Sequence, residues 1–151
     1  MSDFKPRSVE YEQRVRDSFA RQVAMQTLGI TLDHVAVGHV DLSMPYHKKT
    51  TQQHGFVHAG IITTALDSAA GYAAYSLMAD EAAVLTAEFK TSLLAPADGE
   101  RFIFRGEVLK PGRTLTFTES RAYAVKDGSE KLIAVMTATM MAVTGRNDVV
   151  G

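Results

Sequence analysis

The chain has 151 residues, 46% hydrophobic and 22% charged, the size and composition of one globular domain with a core of its own. A formal net charge of -1 and a pI near 6.5 give no electrostatic reason to expect nucleic acid or an anionic membrane as partner. With no cysteine, disulfides, thiol nucleophiles and thiolate metal sites are excluded.

The opening "MSDFKPRSVEYEQ" is polar, with no apolar segment of the kind a secretory leader carries. With the missing cysteines, this leads us to expect a cytoplasmic protein. Ser8 to Leu28 predicts one amphipathic helix. Val15, Phe19, Val23 and Leu28 recur at helical spacing, Ser8 serves as N-cap and Gly29 as stop. From Ile30 to Met44, Val35, Val37, Val40, Leu42 and Met44 sit among polar residues, which predicts a strand or hairpin with Gly38 near the turn. The polar loop "PYHKKTTQQHG" follows, and then an Ala-rich helix. After Asp80, "AVLTAEFKTSLLAP", "ERFIFRGEVLKPG", "RTLTFTESRAYAVKDG" and "EKLIAVMTATMMAV" read as four strands. Turn signals at Pro96–Gly99, Pro111-Gly112 and Asp127-Gly128 separate them and predict an antiparallel meander. The fold class is therefore α+β: a curved antiparallel sheet wrapped around a small-residue helix, with an extra N-terminal helix, in a single domain over 1–151.

The Ala-rich helix poses a chemical question. From Ala59 to Met78 it holds one charged residue in twenty, Asp67. The segment is too polar to face lipid, so it is read as buried in protein. A buried charge is costly unless something compensates, and perturbed carboxylates gather at functional sites. Gly60, Thr64, Asp67, Gly71 and Ala74 form one stripe of mostly small residues at three- and four-residue spacing. At the start of the helix, His54 to His58 include no Ser, Thr, Asp or Asn to cap the first N–H groups. Ala59 and Gly60 are small enough to admit a ligand atom. This end is a candidate oxyanion site; the plain alternative is water on an uncapped helix end.

Asp67 lies about 12 Å along the helix from Ala59. If the carboxylate and the donors share one substrate, they must come from two copies of the chain. Two helices packed antiparallel along their small-residue stripes would meet that need, which leads us to expect a homodimer with two shared sites.

"QQHGFVHAGIITTALDSAAG" resembles the signature of hotdog-fold acyl-CoA thioesterases of the phenylacetate-pathway (PaaI-like) type. "TAEFKTSLLAPA" and "VLKPGRTL" are similar to that family's following strand and turn, and the hotdog core would span about 29–144. The resemblance implies hydrolysis of an acyl-CoA to free acid and coenzyme A, with no metal and no cofactor beyond the substrate's own coenzyme. It implies Asp67 as base or nucleophile and the Ala59 backbone N–H as oxyanion donor from the partner subunit. His58 would orient the loop, Gln52 would stand where the family has Asn, and Thr86 where related enzymes carry Ser near the attacking water. Here His-Ala-Gly replaces the family's His-Gly-Gly.

Further candidates surround these. His54 and His58 are four apart, but no Glu follows the first and the pair precedes the helix, so no metal site is expected. Lys110 and Arg113 flank the Pro111-Gly112 turn, where they would be either phosphate contacts for coenzyme A or simply solvated charges. Phe56, Tyr72 and Tyr75 are either acyl-pocket walls or core. His34, His39 and His47 are expected at the surface without a special role. Medium or long aliphatic acyl groups are expected, and a homotetramer beyond the dimer. Three rival functions stand beside hydrolysis: a non-catalytic acyl-CoA-binding module, a hydroxyacyl-thioester dehydratase and a structural interaction domain.

Overall fold

The structure, a computed structural model, describes residues 3–151. In chain order it comprises α1 (Tyr11–Ala20), α2 (Val23–Leu28), β1 (Thr31–Ala36), β2 (His39–Pro45), α3 (Ala59–Tyr75), β3 (Ala83–Leu93), β4 (Arg101–Lys110), β5 (Leu115–Lys126) and β6 (Ser129–Val143). All six strands join one curved antiparallel sheet in the order β1-β2-β4-β5-β6-β3. The α+β architecture expected from the sequence is present: a sheet around a central helix, with helical structure added at the N-terminal side.

Alternation along the strands fixes which face meets α3. In β5, Thr116, Thr118, Ser120, Ala122 and Ala124 are buried, while Leu115, Phe117 and Arg121 face out. Small residues let the helix come close. A Cβ added at Gly106 of β4 would lie 2.3 Å from the Ala69 carbonyl oxygen of α3. Ser120 Oγ donates to the Leu66 carbonyl at 3.0 Å. Phe102, Phe104, Leu42, Met44, Ile62, Leu66, Met136 and Met140 fill the space between the layers and are fully buried. Every Ala of α3 between Ala65 and Ala74 is buried too, as a helix lying in a curved sheet requires.

Two expectations are corrected. The single helix over Ser8–Leu28 is two helices, broken at Arg21 and Gln22, where Gln22 takes an extended conformation. Ser8 caps no helix; its Oγ accepts the Glu10 N–H at 3.2 Å, just ahead of α1. Gly29 does stop α2, in the left-handed region at φ 69°. The four-strand meander is a three-strand one, β4-β5-β6. β3 leaves it and pairs with the far side of β6, so its other edge is open among the described residues. The Pro96–Gly99 link is accordingly a crossing connection, which turn chemistry by itself does not distinguish from a hairpin.

Candidate active site

The start of α3 is capped after all, by a residue type outside the usual set. His58 is extended at φ -60° and ψ 138°, and its Nδ1 accepts the Gly60 N–H at 2.9 Å. A side chain on Gly60 would crowd that imidazole, with its Cβ 3.1 Å from Nδ1. Gly60 therefore serves the cap, and its N–H is committed to it. The Ala59 N–H has no partner among the described residues. It sits at the positive end of the helix with its donor unspent.

Gln52, Phe56, His58 and Ala59 come together here. They line an apolar cavity of about 620 Å³ with Ile62 and the segment after β3, Leu94 to Ala97. The loop that brings them in is tightly tied. The Gln52 N–H donates to the Phe56 carbonyl at 2.9 Å, and the Gln52 carbonyl accepts from Gly55 N–H at 3.0 Å. The Gln52 side-chain oxygen takes the His54 N–H. Gly55 turns the loop at φ 85°, a conformation side chains rarely adopt.

Asp67 stands on the wall of a different cavity, of about 330 Å³, with Thr86, Gly71 and Tyr72. It is half-buried rather than enclosed. Thr86 Oγ1 donates to Asp67 Oδ1 at 2.7 Å. β3 makes that contact through a bulge. Thr86 pairs with Met140 and Phe89 with Ala138, so two residues three apart share the face toward α3. Burial pushes the Asp67 carboxyl above its ordinary value, and the Thr86 hydrogen bond pulls the other way. No metal-like cluster of three or more His, Asp or Glu side chains occurs among the described residues.

The two cavities share no lining residue. Within one chain, Asp67 and Thr86 do not meet Ala59, His58 and Gln52. The small-residue stripe of α3 is not an open face along its length either. Gly60 is exposed and Asp67 half-buried, but Gly71 and Ala74 are buried against the chain's own core. Only the first half of the stripe is available to a partner. Arg113 lies elsewhere again, on a cavity at the far end of α3 beside Lys5, Arg7 and Met78, and Lys110 is exposed at the end of β4.

Some roles lay outside the sequence reading. The Arg14 guanidinium holds the turn that follows α3, donating to the Met78 carbonyl at 3.1 Å and the Ala79 carbonyl at 2.9 Å while stacking 4.6 Å from the Tyr75 ring. His47 lies at the surface as expected, and His39 is half-buried beside Asp41. His39 Nε2 lies 2.8 Å from Asp41 Oδ1, and this contact raises the imidazole pKa; His47 Nδ1 accepts the Lys49 N–H of a short 3-10 turn. No helix among the described residues is long and apolar enough to cross a membrane.

A long central helix cradled by a curved antiparallel sheet defines the hotdog fold. The chain belongs to the Thioesterase superfamily, whose family model matches residues 54–131. A thioesterase family protein of Silicibacter pomeroyi is 63% identical, with a TM-score of 0.88 over 89% of this chain and 99% of that one. A Halobacterium salinarum protein named as a candidate esterase is 34% identical over 97 residues, 61% of this chain; the chain spans 64% of that relative's length. The PaaI protein of the E. coli phenylacetic acid degradation operon has a TM-score of 0.81 over 92% of this chain and 97% of that one; at 17% identity it speaks for the fold.

Proposed function

We propose that this chain hydrolyses acyl-CoA thioesters at two equivalent sites shared across a homodimer, in a single domain that fills the chain. Asp67 acts from one protomer, and the Ala59 N–H receives the developing oxyanion from the other. One observation carries the reading: the acid and the donor occupy separate cavities, yet both cavities border β3. Ala83 to Thr86 line the Asp67 cavity and Leu93 lines the Ala59 cavity. The outer edge of β3 is unpaired, and Leu85, Phe89 and Leu93 along the strand are 42%, 48% and 56% exposed. An open, apolar edge strand invites another strand. Antiparallel pairing of two β3 edges about a two-fold axis near Phe89–Lys90 sets Thr86 of one copy opposite Leu93 of the other. Each Asp67 cavity then meets the other copy's Ala59 cavity. The expected antiparallel contact of helices is thereby replaced by contact of strands.

The chemistry consumes one water. As a base, Asp67 takes a proton while the hydroxide adds to the thioester carbonyl; as a nucleophile, it attacks the carbonyl itself and water then opens the anhydride. In either route the negative charge grows on the carbonyl oxygen, where the Ala59 N–H meets it. The C–S bond then breaks and the thiol leaves with a proton. Thr86 positions the carboxylate. Gln52 and His58 hold the loop that presents Ala59, and Phe56 lines the approach. Lys110 and Arg113 lie apart from both cavities of their own chain, and their part in holding the phosphates of coenzyme A rests on the resemblance alone. The reaction needs no metal or added cofactor, and a chain without cysteine suits the cytoplasm.

Complementation tests this. Ala59 is the first residue of α3, where proline is tolerated but brings no N–H, and the extended His58 suits a following proline. Asp67→Asn and Ala59→Pro should each abolish thiol release from saturated acyl-CoAs. Co-refolded in equal amounts, they should recover about a quarter of the wild-type rate, because half the dimers are mixed and each holds one intact site. No recovery would place both groups in one protomer's chemistry or in none. Full activity in Asp67→Asn would point instead to a binding module or structural domain, and release of no thiol by wild type to a dehydratase.

A further inference from the structure

If Asp67 meets the thioester as proposed above, the cavity beside it receives the acyl group. Its volume of about 330 Å³ lies at the small end of ligand pockets, which run from about 300 to 1,000 Å³. Gly71, one turn beyond Asp67, leaves space next to the carboxylate. The far wall is rigid: Tyr72 packs edge-on against Phe19 with ring centres 5.7 Å apart, and against Tyr75 at 6.3 Å. That aromatic group stops a long chain from running on toward Phe19, and Asp148 to Gly151 form another wall of the cavity.

The wall is also polar where an aliphatic tail would end. The Tyr72 hydroxyl lies 3.3 Å from Ser18 Oγ, and Ser68 Oγ donates to Gln22 Oε1 at 3.3 Å. Tyr72 and Ser68 are buried. Both contacts are long for hydroxyl hydrogen bonds, which ordinarily close to about 2.7–2.8 Å. They keep buried polar atoms paired without holding them tightly, so a ligand's own polar group can enter either pair at little cost. A methyl-terminated chain would bury against the same atoms and gain no hydrogen bond.

We infer that the acyl group is short and carries a hydrogen-bonding substituent at its far end, received by the Ser18–Tyr72 and Ser68–Gln22 pairs. This departs from the medium or long aliphatic chain expected from the sequence. Sites whose polar groups a wrong substrate leaves unpaired discriminate by about 10⁴-fold or more. Here the pairs close on each other when the substituent is missing, so a preference of about tenfold is expected.

The test compares kcat/KM for thiol release from hexanoyl-CoA, its 6-hydroxy derivative and dodecanoyl-CoA. The hydroxyacyl substrate should exceed hexanoyl-CoA about tenfold, and dodecanoyl-CoA should fall about tenfold below it. Tyr72→Phe and Ser18→Ala, which delete one oxygen each, should erase the hydroxyl preference, so that the ratio of kcat/KM for 6-hydroxyhexanoyl-CoA to that for hexanoyl-CoA falls from about ten to about one. Equal rates for the two short substrates, or fastest turnover of dodecanoyl-CoA, would overturn the inference and leave the hydrolase reading intact. Release of thiol from none of the three would overturn the hydrolase reading, and this inference with it.

Discussion

Thr86 on β3 and Asp67 on α3 are nineteen residues apart in the chain and joined by a 2.7 Å hydrogen bond. Their pairing ties the helix to the edge strand and fixes one carboxylate oxygen. Thr86→Val keeps the shape and removes the donor. It leaves burial unopposed, so the Asp67 carboxyl should titrate still higher. We expect kcat/KM to fall about 10- to 100-fold, with the acid limb of its pH profile displaced upward. A pH series of thiol release on both proteins measures this, and an unmoved limb would deny Thr86 its role.

Asp67 also bears on stability. Its pKa in the folded chain is raised above the ordinary value near 3.8. The folded state thus binds the proton more tightly than the unfolded one, and the stability this contributes is lost as pH rises through the folded pKa. At neutral pH the ionised carboxylate is a liability. Asp67→Asn, which can still accept from Thr86, should raise Tm at pH 7 to 8 and lose that advantage as pH falls toward the ordinary carboxylate range. Thermal melts across pH decide it; a variant less stable than wild type at pH 8 would contradict the assignment.

Gly106 is the point of closest approach between sheet and helix. Its added Cβ would press on the Ala69 carbonyl carbon at 2.4 Å as well as the oxygen, and backbone cannot swing aside as a flexible side chain can. Gly106→Ala should cost about 1–3 kcal/mol or more. At Gly71 the nearest atom to an added Cβ is Met140 Sδ, at 4.0 Å. Gly71→Ala should therefore stabilise the helix by about 0.5–1 kcal/mol. Denaturant titration of the two variants should give opposite signs.

Arg14 holds α1 to the end of α3. Its side chain is 17% exposed and reaches the Met78 and Ala79 carbonyls just past the helix and the Tyr75 ring, with Asp80 at 3.8 Å. Hydrogen bonds from a charged donor to buried carbonyls contribute about 1.5–3 kcal/mol. Arg14→Ala should lose about that much, and Arg14→Lys should restore only part of it, because an ammonium cannot fork across two carbonyls and stack on a ring together. Full recovery by lysine would reduce the contact to simple charge.

Much of the fold was legible because local chemistry writes it locally. The alternation in "ITLDHVAVGHVDLSM" marked β1 and β2, and Gly38 marked their turn, where φ is 71°. Pro111-Gly112 and Asp127-Gly128 marked the turns of the true meander. The break at Gln22 was not legible: Val15, Phe19, Val23 and Leu28 suit one continuous helix, and only the sheet below decides how far that helix can run straight. His58 as a cap was missed because Ser, Thr, Asp and Asn were the residues sought, although an imidazole nitrogen two residues ahead of an N–H does the same work. Lys110 and Arg113 sit beside the turn where the sequence puts them, and nothing in a turn says which cavity it borders.

By itself, the amino-acid sequence determined most of the elements and the central helix with its single carboxylate, because periodicity, turn residues and isolated charge act over a few residues; the family came from the resemblance of "QQHGFVHAGIITTALDSAAG" to a known signature. Tertiary structure alone decided that β3 crosses to the outside of β6, that Thr86 rather than a cation supports Asp67, and that Asp67 and Ala59 open into separate cavities. Those outcomes depend on which distant segments share a core, and that choice is made by the packing of the whole chain, which no short stretch encodes.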